Sequence, residues 1–245
     1  MRVLVTRAEP NATRTAMKLR EMGHEPVVLP LSQAIRAAGT AASALQNTSG
    51  PIAVTSAEAL RVLCEIAPAD RSWMSRVLYA VGPATAKAAT ELGFHTVFTG
   101  EGNAASLAER IVADVSARNR QAAPSHLLYL AGTPRTEGFE AVIAKAGIPV
   151  EICECYRMTA VVPDLATQQL SLITQSPQAV LCYSSESVRR LLQLPLLCER
   201  QEALAQALFC CMSDTVASTL PPRFRSHARI ASTTSETELL TLLSG

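Results

Sequence analysis

Ten short runs of β-branched and apolar residues recur along this 245-residue chain, and most are separated by stretches with helical periodicity. The runs are Arg2–Thr6, Pro26–Leu29, Ile52–Thr55, Val77–Val81, Thr96–Thr99, Leu127–Leu130, Val150–Cys155, Ala179–Tyr183, Leu208–Met212 and Ala228–Ala231. Segments such as Ala12–Met22 and Ala84–Leu92 fill the intervals with Ala, Leu, Glu and Arg. Few folds accept this alternation: strands joined through helices make βαβ units, and a series of such units makes a parallel sheet covered by helices. Gly23, Gly93 and Gly147 each follow the last periodic residue of a helical stretch, where chains commonly leave a helix through a left-handed residue. Ten strands exceed what one ordinary doubly wound sheet holds, so the pattern predicts two sheets in two α/β lobes.

The blocks also repeat in order. Block A, Arg2-Val-Leu-Val-Thr-Arg through Gly23-His-Glu-Pro-Val-Val, matches Leu127-Leu-Tyr-Leu-Ala-Gly-Thr through Gly147-Ile-Pro-Val-Glu-Ile in rhythm. Block B, Ile52-Ala-Val-Thr-Ser-Ala-Glu, matches Val180-Leu-Cys-Tyr-Ser-Ser-Glu. Block C, Val77-Leu-Tyr-Ala-Val-Gly-Pro-Ala-Thr-Ala, matches Leu208-Phe-Cys-Cys-Met-Ser-Asp-Thr-Val-Ala. An A-B-C order that recurs points to a duplicated lobe. Both A blocks end in long extended stretches, Pro26 to Ile35 and Pro149 to Val162, which suit a pair of connectors. That arrangement puts 1–34 with 160–245 in one discontinuous lobe and 37–152 in an inserted lobe, with 31–37 and 152–160 as connectors. A plain split near residue 124 is the alternative.

Composition narrows the class. Lys and Arg number 22 against 21 Asp and Glu, so a net charge of +1 offers no footprint for nucleic acid or an anionic membrane. Aromatics are 4% of residues, which disfavours stacking as the main mode of recognition. The run at Met1–Thr6 reads as a strand and not as a secretory leader, and no apolar stretch reaches the roughly 18 residues of a membrane span. The seven cysteines form no Cys-x-x-Cys pair and His24, His95, His126 and His227 no metal-ligand spacing. The expectation is a cytoplasmic, metal-free protein with reduced, buried thiols.

Open parallel sheets bind ligands at the carboxyl ends of their strands, where helix N-termini offer free N–H groups. Six such ends here are rich in hydroxyls: Thr6-Arg7, Thr55-Ser56, Gly82-Pro83-Ala84-Thr85, Gly132-Thr133-Pro134-Arg135, Ser184-Ser185 and Ser213-Asp214-Thr215. Each also suits plain helix capping, with Thr55-Ser-Ala-Glu58 as a capping box and Pro83 and Pro134 at first helical positions. Taken together, they resemble a site for a polyanion held by N–H groups, hydroxyls, Arg7 and Arg135. Gly100-Glu-Gly102-Asn-Ala-Ala105 imitates a dinucleotide-binding turn, but Glu101 would face the pyrophosphate and no acidic ribose partner lies about 20 residues further on. Neither a Gly-x-Ser-x-Gly elbow nor a Walker loop is present. Trp73 reads as a packing aromatic, and Tyr156 lies in the second connector, where a phenol can face a ligand.

The ordered set of motifs is similar to the uroporphyrinogen-III synthase family. It comprises Val-Leu-Val-Thr6-Arg7, Val54-Thr55-Ser56-Ala57, Val81-Gly82-Pro83-Ala84-Thr85-Ala86, and Gly102-Asn-Ala-Ala-Ser-Leu-Ala-Glu-Arg. Further along come the Leu127–Gly132 strand with Gly147, Glu154-Cys-Tyr156-Arg, Tyr183-Ser184-Ser185 and Ser213-Asp214-Thr215-Val216-Ala217. The resemblance implies two similar α/β lobes with swapped segments and a two-stranded connector. It also implies a cofactor-free hydro-lyase of haem and tetrapyrrole biosynthesis, acting as a monomer. Such an enzyme closes hydroxymethylbilane, a linear polycarboxylate tetrapyrrole, into uroporphyrinogen III, inverting the last ring and losing water.

By the same resemblance Tyr156 is the catalytic candidate, hydrogen-bonding the departing hydroxyl. Thr85 matches a family threonine, and Ser184 and Thr215 match hydroxyl positions. Thr6, Arg7, Thr55, Ser56, Gly82, Thr133, Arg135 and Ser185 complete the expected substrate-binding set. The last motif departs from the family, with Ser213 and Asp214 in place of Gly and Pro and Val216 in place of a second threonine. Asp214 would repel a carboxylate, so it is expected to cap its helix. A non-enzymatic two-lobed binding protein for a small polyanion such as a tetrapyrrole is the alternative reading.

Overall fold

The chain begins with β1 (Arg2–Val5), α1 (Asn11–Glu21), β2 (Glu25–Val28) and β3 (Ser32–Arg36). It continues through α2 (Ala38–Asn47), β4 (Ile52–Val54), α3 (Ala57–Ile66), β5 (Leu78–Ala80), α4 (Pro83–Leu92), β6 (Val97–Thr99) and α5 (Ala104–Arg118). Next come β7 (Leu127–Thr133), α6 (Gly138–Lys145), β8 (Val150–Ala160), and α7 (Leu165–Gln168), which runs on as a π-helical stretch. The last part holds β9 (Ala179–Cys182), α8 (Ser185–Leu192), α9 (Pro195–Glu199), β10 (Leu208–Cys211), α10 (Asp214–Ala217), α11 (Pro222–Arg225), β11 (Ala228–Ile230) and α12 (Glu236–Thr241). This computed structural model describes residues 1–118, 126–135 and 137–244, so the alternative boundary near 124 lies outside the described residues. All ten sequence runs appear as strands, most of them a residue or two shorter or longer than read.

Two compact units result, one formed by Met1–Gln33 with Thr159–Gly245 and the other by Ala34–Met158. The first is built on a sheet of order β11-β10-β9-β1-β2, with neighbouring strands parallel throughout. The second is built on the sheet β3-β8-β7-β4-β5-β6, parallel from β8 to β6. Beside β8, the amide of Ala37 donates to Cys155 O at 2.8 Å and that of Val161 to Leu31 O at 3.0 Å, an antiparallel pattern. The strand β3 is the element the run-based reading classed only as extended chain.

Block order is the same in both sheets, but each sheet draws its A block from the opposite half of the chain. β1 and β2 lie beside β9 and β10, whereas β7 and β8 lie beside β4 and β5. Central strands are apolar along their full length because helices cover both faces. β4, β5 and β9 are buried at every residue. In the inserted unit one face packs Leu128, Leu130, Ile52, Val54 and Leu63, and the other packs Tyr79, Tyr129, Phe139 and Ile143. Gly23, Gly93 and Gly147 have φ of +77°, +119° and +68°, so each supplies the left-handed exit expected of it.

Several local expectations need correcting. The cap of α3 is Ser56, whose side chain accepts from the Glu58 amide, and Glu58 turns to Arg36 and Arg61 and closes no box with Thr55. Pro134 does not open α6, which starts at Gly138, although Pro83 does open α4. Asp214 is not a cap: Ser213 accepts from the Val216 amide, and Asp214 sits in the first turn, where its charge suits the helix dipole. Cys64 and Cys198 are exposed, while the other five thiols are buried and all seven are free.

Candidate active site

In the inserted unit the carboxyl ends of β4, β5 and β7 lie along one edge of the sheet, level with the middle of β8. They bring together Thr55 and Ser56, Gly82, Thr133 and Tyr156. Between Ala131 and Gly132 the pairing of β7 with β8 slips, so that Ala131 faces Glu154 while Gly132 faces Tyr156. Cys155 is the extra residue of a bulge. Such a bulge breaks the alternation of side chains and re-aims the residues after it. Cys153 and Cys155 are buried on the α2–α3–α4 face, and Tyr156 packs on that same face instead of the opposite one.

The Tyr156 phenol is half-buried, near the Ser56 hydroxyl. Burial pushes its pKa above the ordinary 10, against the smaller opposing effect of Ser56, so the group holds its proton across the neutral range. Ser56 caps a ten-residue helix, so the positive end of α3 lies beside the phenol and favours charge developing on its oxygen. One cavity of about 260 Å³ opens against this group, lined by Ile35, Ala37, Thr133, Glu154, Tyr156 and Arg157. Thr55 Oγ1 lies 2.9 Å from the hydroxyl of buried Tyr129, an interaction that fixes the β4 end to β7.

Not every expected ligand is available. Arg135 donates to Glu140 and Glu154, each at 2.7 Å, and those carboxylates raise its pKa further. A substrate carboxylate would have to compete with both. The cation on the cavity wall is instead Arg157, 61% exposed, whose nearest carboxylate oxygen is at 3.9 Å on Glu154. Position in the Tyr-Arg pair is the only sequence signal for it. Thr85, at the third position of α4, is nearly covered. Gly82 lets the β5–α4 turn close on the next loop: a Cβ there would lie 3.3 Å from Gly102 Cα. The Gly100–Ala105 segment is thereby accounted for by packing of loop on loop, and Asn103 Oδ1 accepts from the Ser106 amide at the start of α5.

In the discontinuous unit, Thr6, Ser184, Ser185 and Thr215 come after β1, β9 and β10 in the same way. Thr6 is buried, and Ser184 caps α8 in a capping box with Ser187. Ser185 donates to Thr215 O at 3.3 Å, and the Thr215 side chain is exposed. Val216, within α10, is buried and packs into the core. Arg7 is engaged: it lies over the Tyr183 ring at 4.1 Å and donates to Glu236 at 2.7 Å. Glu236 also accepts from Thr15 at 2.6 Å, from Tyr183 at 2.7 Å and from Lys18. Burial alone would raise the Glu236 carboxyl, yet Lys18, Thr15, Tyr183 and Arg7 together bring it down to about 2. Among the described residues no group of three or more His, Cys, Asp or Glu is placed to hold a metal ion.

The chain is similar to proteins of known structure and function. The family model described as uroporphyrinogen-III synthase HemD matches residues 13–240. The uroporphyrinogen-III synthase of Saccharomyces cerevisiae is 30% identical over an alignment of 155 positions that covers 58% of this chain. The match spans 56% of the yeast protein, little more than half its length. A uroporphyrinogen-III synthetase crystal structure from Helicobacter pylori superimposes with a TM-score of 0.64 at 14% identity, covering 99% of this chain and 97% of that one. A mutant Thermus thermophilus uroporphyrinogen III synthase gives 0.58 at 15% identity, covering 100% and 97%. At such identities the two structures speak for the fold, α/β with parallel sheets flanked by helices. The match from residue 13 to residue 240 speaks for descent, and on it the chain belongs to the uroporphyrinogen-III synthase family.

Proposed function

We propose that this chain cyclises hydroxymethylbilane to uroporphyrinogen III, with inversion of the terminal pyrrole ring and loss of water. The observation that carries the reading is Tyr156: a phenol held protonated by burial, near the cap of α3 and open to a cavity that Arg157 also lines. An electron-rich hydroxymethylpyrrole loses its hydroxyl readily. Tyr156 gives its proton to that hydroxyl, water departs, and an azafulvenium cation remains. The substituted carbon of the far pyrrole attacks this cation to give a spiro intermediate, the route to the inverted ring. Left free, the same chain closes at the unsubstituted carbon, so the protein's contribution is mainly orientation and charge placement.

In the inserted unit substrate carboxylates are taken by Arg157, by the hydroxyls of Thr55 and Thr133 and by free N–H groups at the helix starts beside them; Ser184, Ser185 and Thr215 are the carboxylate-binding candidates of the discontinuous unit. Thr6, Gly82 and Thr85 shape the strand ends from within. Arg7 and Arg135 serve by holding their strand ends to Glu236, Glu140 and Glu154. The reaction needs no cofactor, and the same reading takes the chain as a cytoplasmic monomer. Among the described residues no helix is long and apolar enough to cross a membrane. The test is catalysed consumption of freshly made hydroxymethylbilane, with a rate proportional to protein concentration. Consumption no faster than in buffer would reject the reading.

A further inference from the structure

We propose that Gly132 is a positioning residue: the missing side chain at this point of β7 is the seat of the Tyr156 ring. A Cβ built on Gly132 would lie 2.2 Å from Tyr156 Cζ and 2.4 Å from both Cε2 and the hydroxyl oxygen. Real carbon contacts lie near 3.5 to 4.0 Å, so any side chain here drives the ring away by roughly an ångström or more. The backbone does not itself call for glycine, because Gly132 lies in a regular strand and its φ is not positive. Alternation along β7 sends Leu128 and Leu130 to the α2–α3–α4 face, and Gly132 is next on that face. The bulge at Cys155 turns Tyr156 to the same face, directly opposite Gly132. Bulge and glycine therefore act as a pair, one aiming the phenol and the other making room for it beside Ser56.

The catalytic consequence rests on the reading of Tyr156 as the acid, whereas the seat rests on geometry alone, and two readouts separate them. With 3-fluorotyrosine incorporated, the fluorine resonance lost in Tyr156→Phe identifies the ring. Gly132→Ala is expected to move that resonance and to leave those of Tyr79, Tyr129 and Tyr183 in place. It is also expected to lower kcat at least tenfold with KM changed less than about twofold, in the range for a catalytic group misplaced by about an ångström. Adding Gly132→Ala to Tyr156→Ala should cost less than a further twofold, since no ring is left to displace. That double variant also removes the clash, so it serves if the single variant folds poorly. An unmoved resonance, or a Gly132→Ala loss that persists undiminished in the Tyr156→Ala background, overturns the proposal. If Tyr156→Phe retains full turnover, the acid reading falls, and the resonance shift by itself decides the seat.

Discussion

A phenol can release a leaving hydroxyl only while it holds its own proton. Burial raises the Tyr156 pKa, so the acid form prevails across the neutral range and is lost only as pH rises through the raised value. The alkaline limb of kcat is therefore expected above the ordinary tyrosine range, and a fall centred near neutrality would contradict the assignment. Tyr156→Phe is expected to lower turnover more than about tenfold, with an unchanged thermal midpoint. Near-normal turnover in that variant would remove the phenol from the mechanism. Ser56→Ala removes the hydroxyl near the phenol and one helix cap, so a smaller fall in kcat, about three- to tenfold, should accompany a stability loss of about 1 kcal/mol. A motif made Tyr156 legible as a candidate. Its seat was not legible, because the 24-residue separation of Gly132 and Tyr156 becomes contact only through the bulge.

Among the elements, the helix–strand alternation and the three exit glycines could be read directly, since each depends on local periodicity or local backbone. The ion pairs could not be read that way. Arg7 looked like an anion ligand at a strand end, but its carboxylate partner, Glu236, lies 229 residues away in α12. Glu236 fastens that helix to α1 and to the ends of β1 and β9. A carboxyl moved from the ordinary 4.5 to about 2 corresponds to about 3 kcal/mol. Because the folded value is the lower one, this stability is present above pH 4.5 and drains away as pH falls toward 2. Glu236→Gln should lower stability at pH 7 by about 2 to 3 kcal/mol and flatten the dependence between pH 5 and 2, as read by urea unfolding. An unchanged acid slope would show that the four donors do not hold the carboxylate. β3 escaped the run-based reading for a simpler reason: Ser32-Gln-Ala-Ile-Arg has no β-branched run and is half-exposed on an edge.

Over the whole molecule, the repeated A-B-C order was visible in the sequence, while the exchange of A blocks between sheets is a matter of topology. It makes the chain indivisible at its midpoint. A fragment of residues 1–124 has β1 and β2 without β9 and β10, and β4 to β6 without β7 and β8. A fragment of residues 34–158 keeps β4 to β7 whole, most of β3 and β8, and both packed faces of the second unit. Urea unfolding should therefore be cooperative for 34–158 and not for 1–124. Cooperative unfolding of 1–124 alone would contradict the pairing. The central claim is that this fold imposes ring inversion on a substrate that closes unaided to the other isomer. Its most direct measurement is the isomer composition formed from hydroxymethylbilane generated in situ, oxidised to porphyrins and separated by chromatography. Uroporphyrin III should dominate with the protein present, and a type I product equal to the protein-free control would contradict the account.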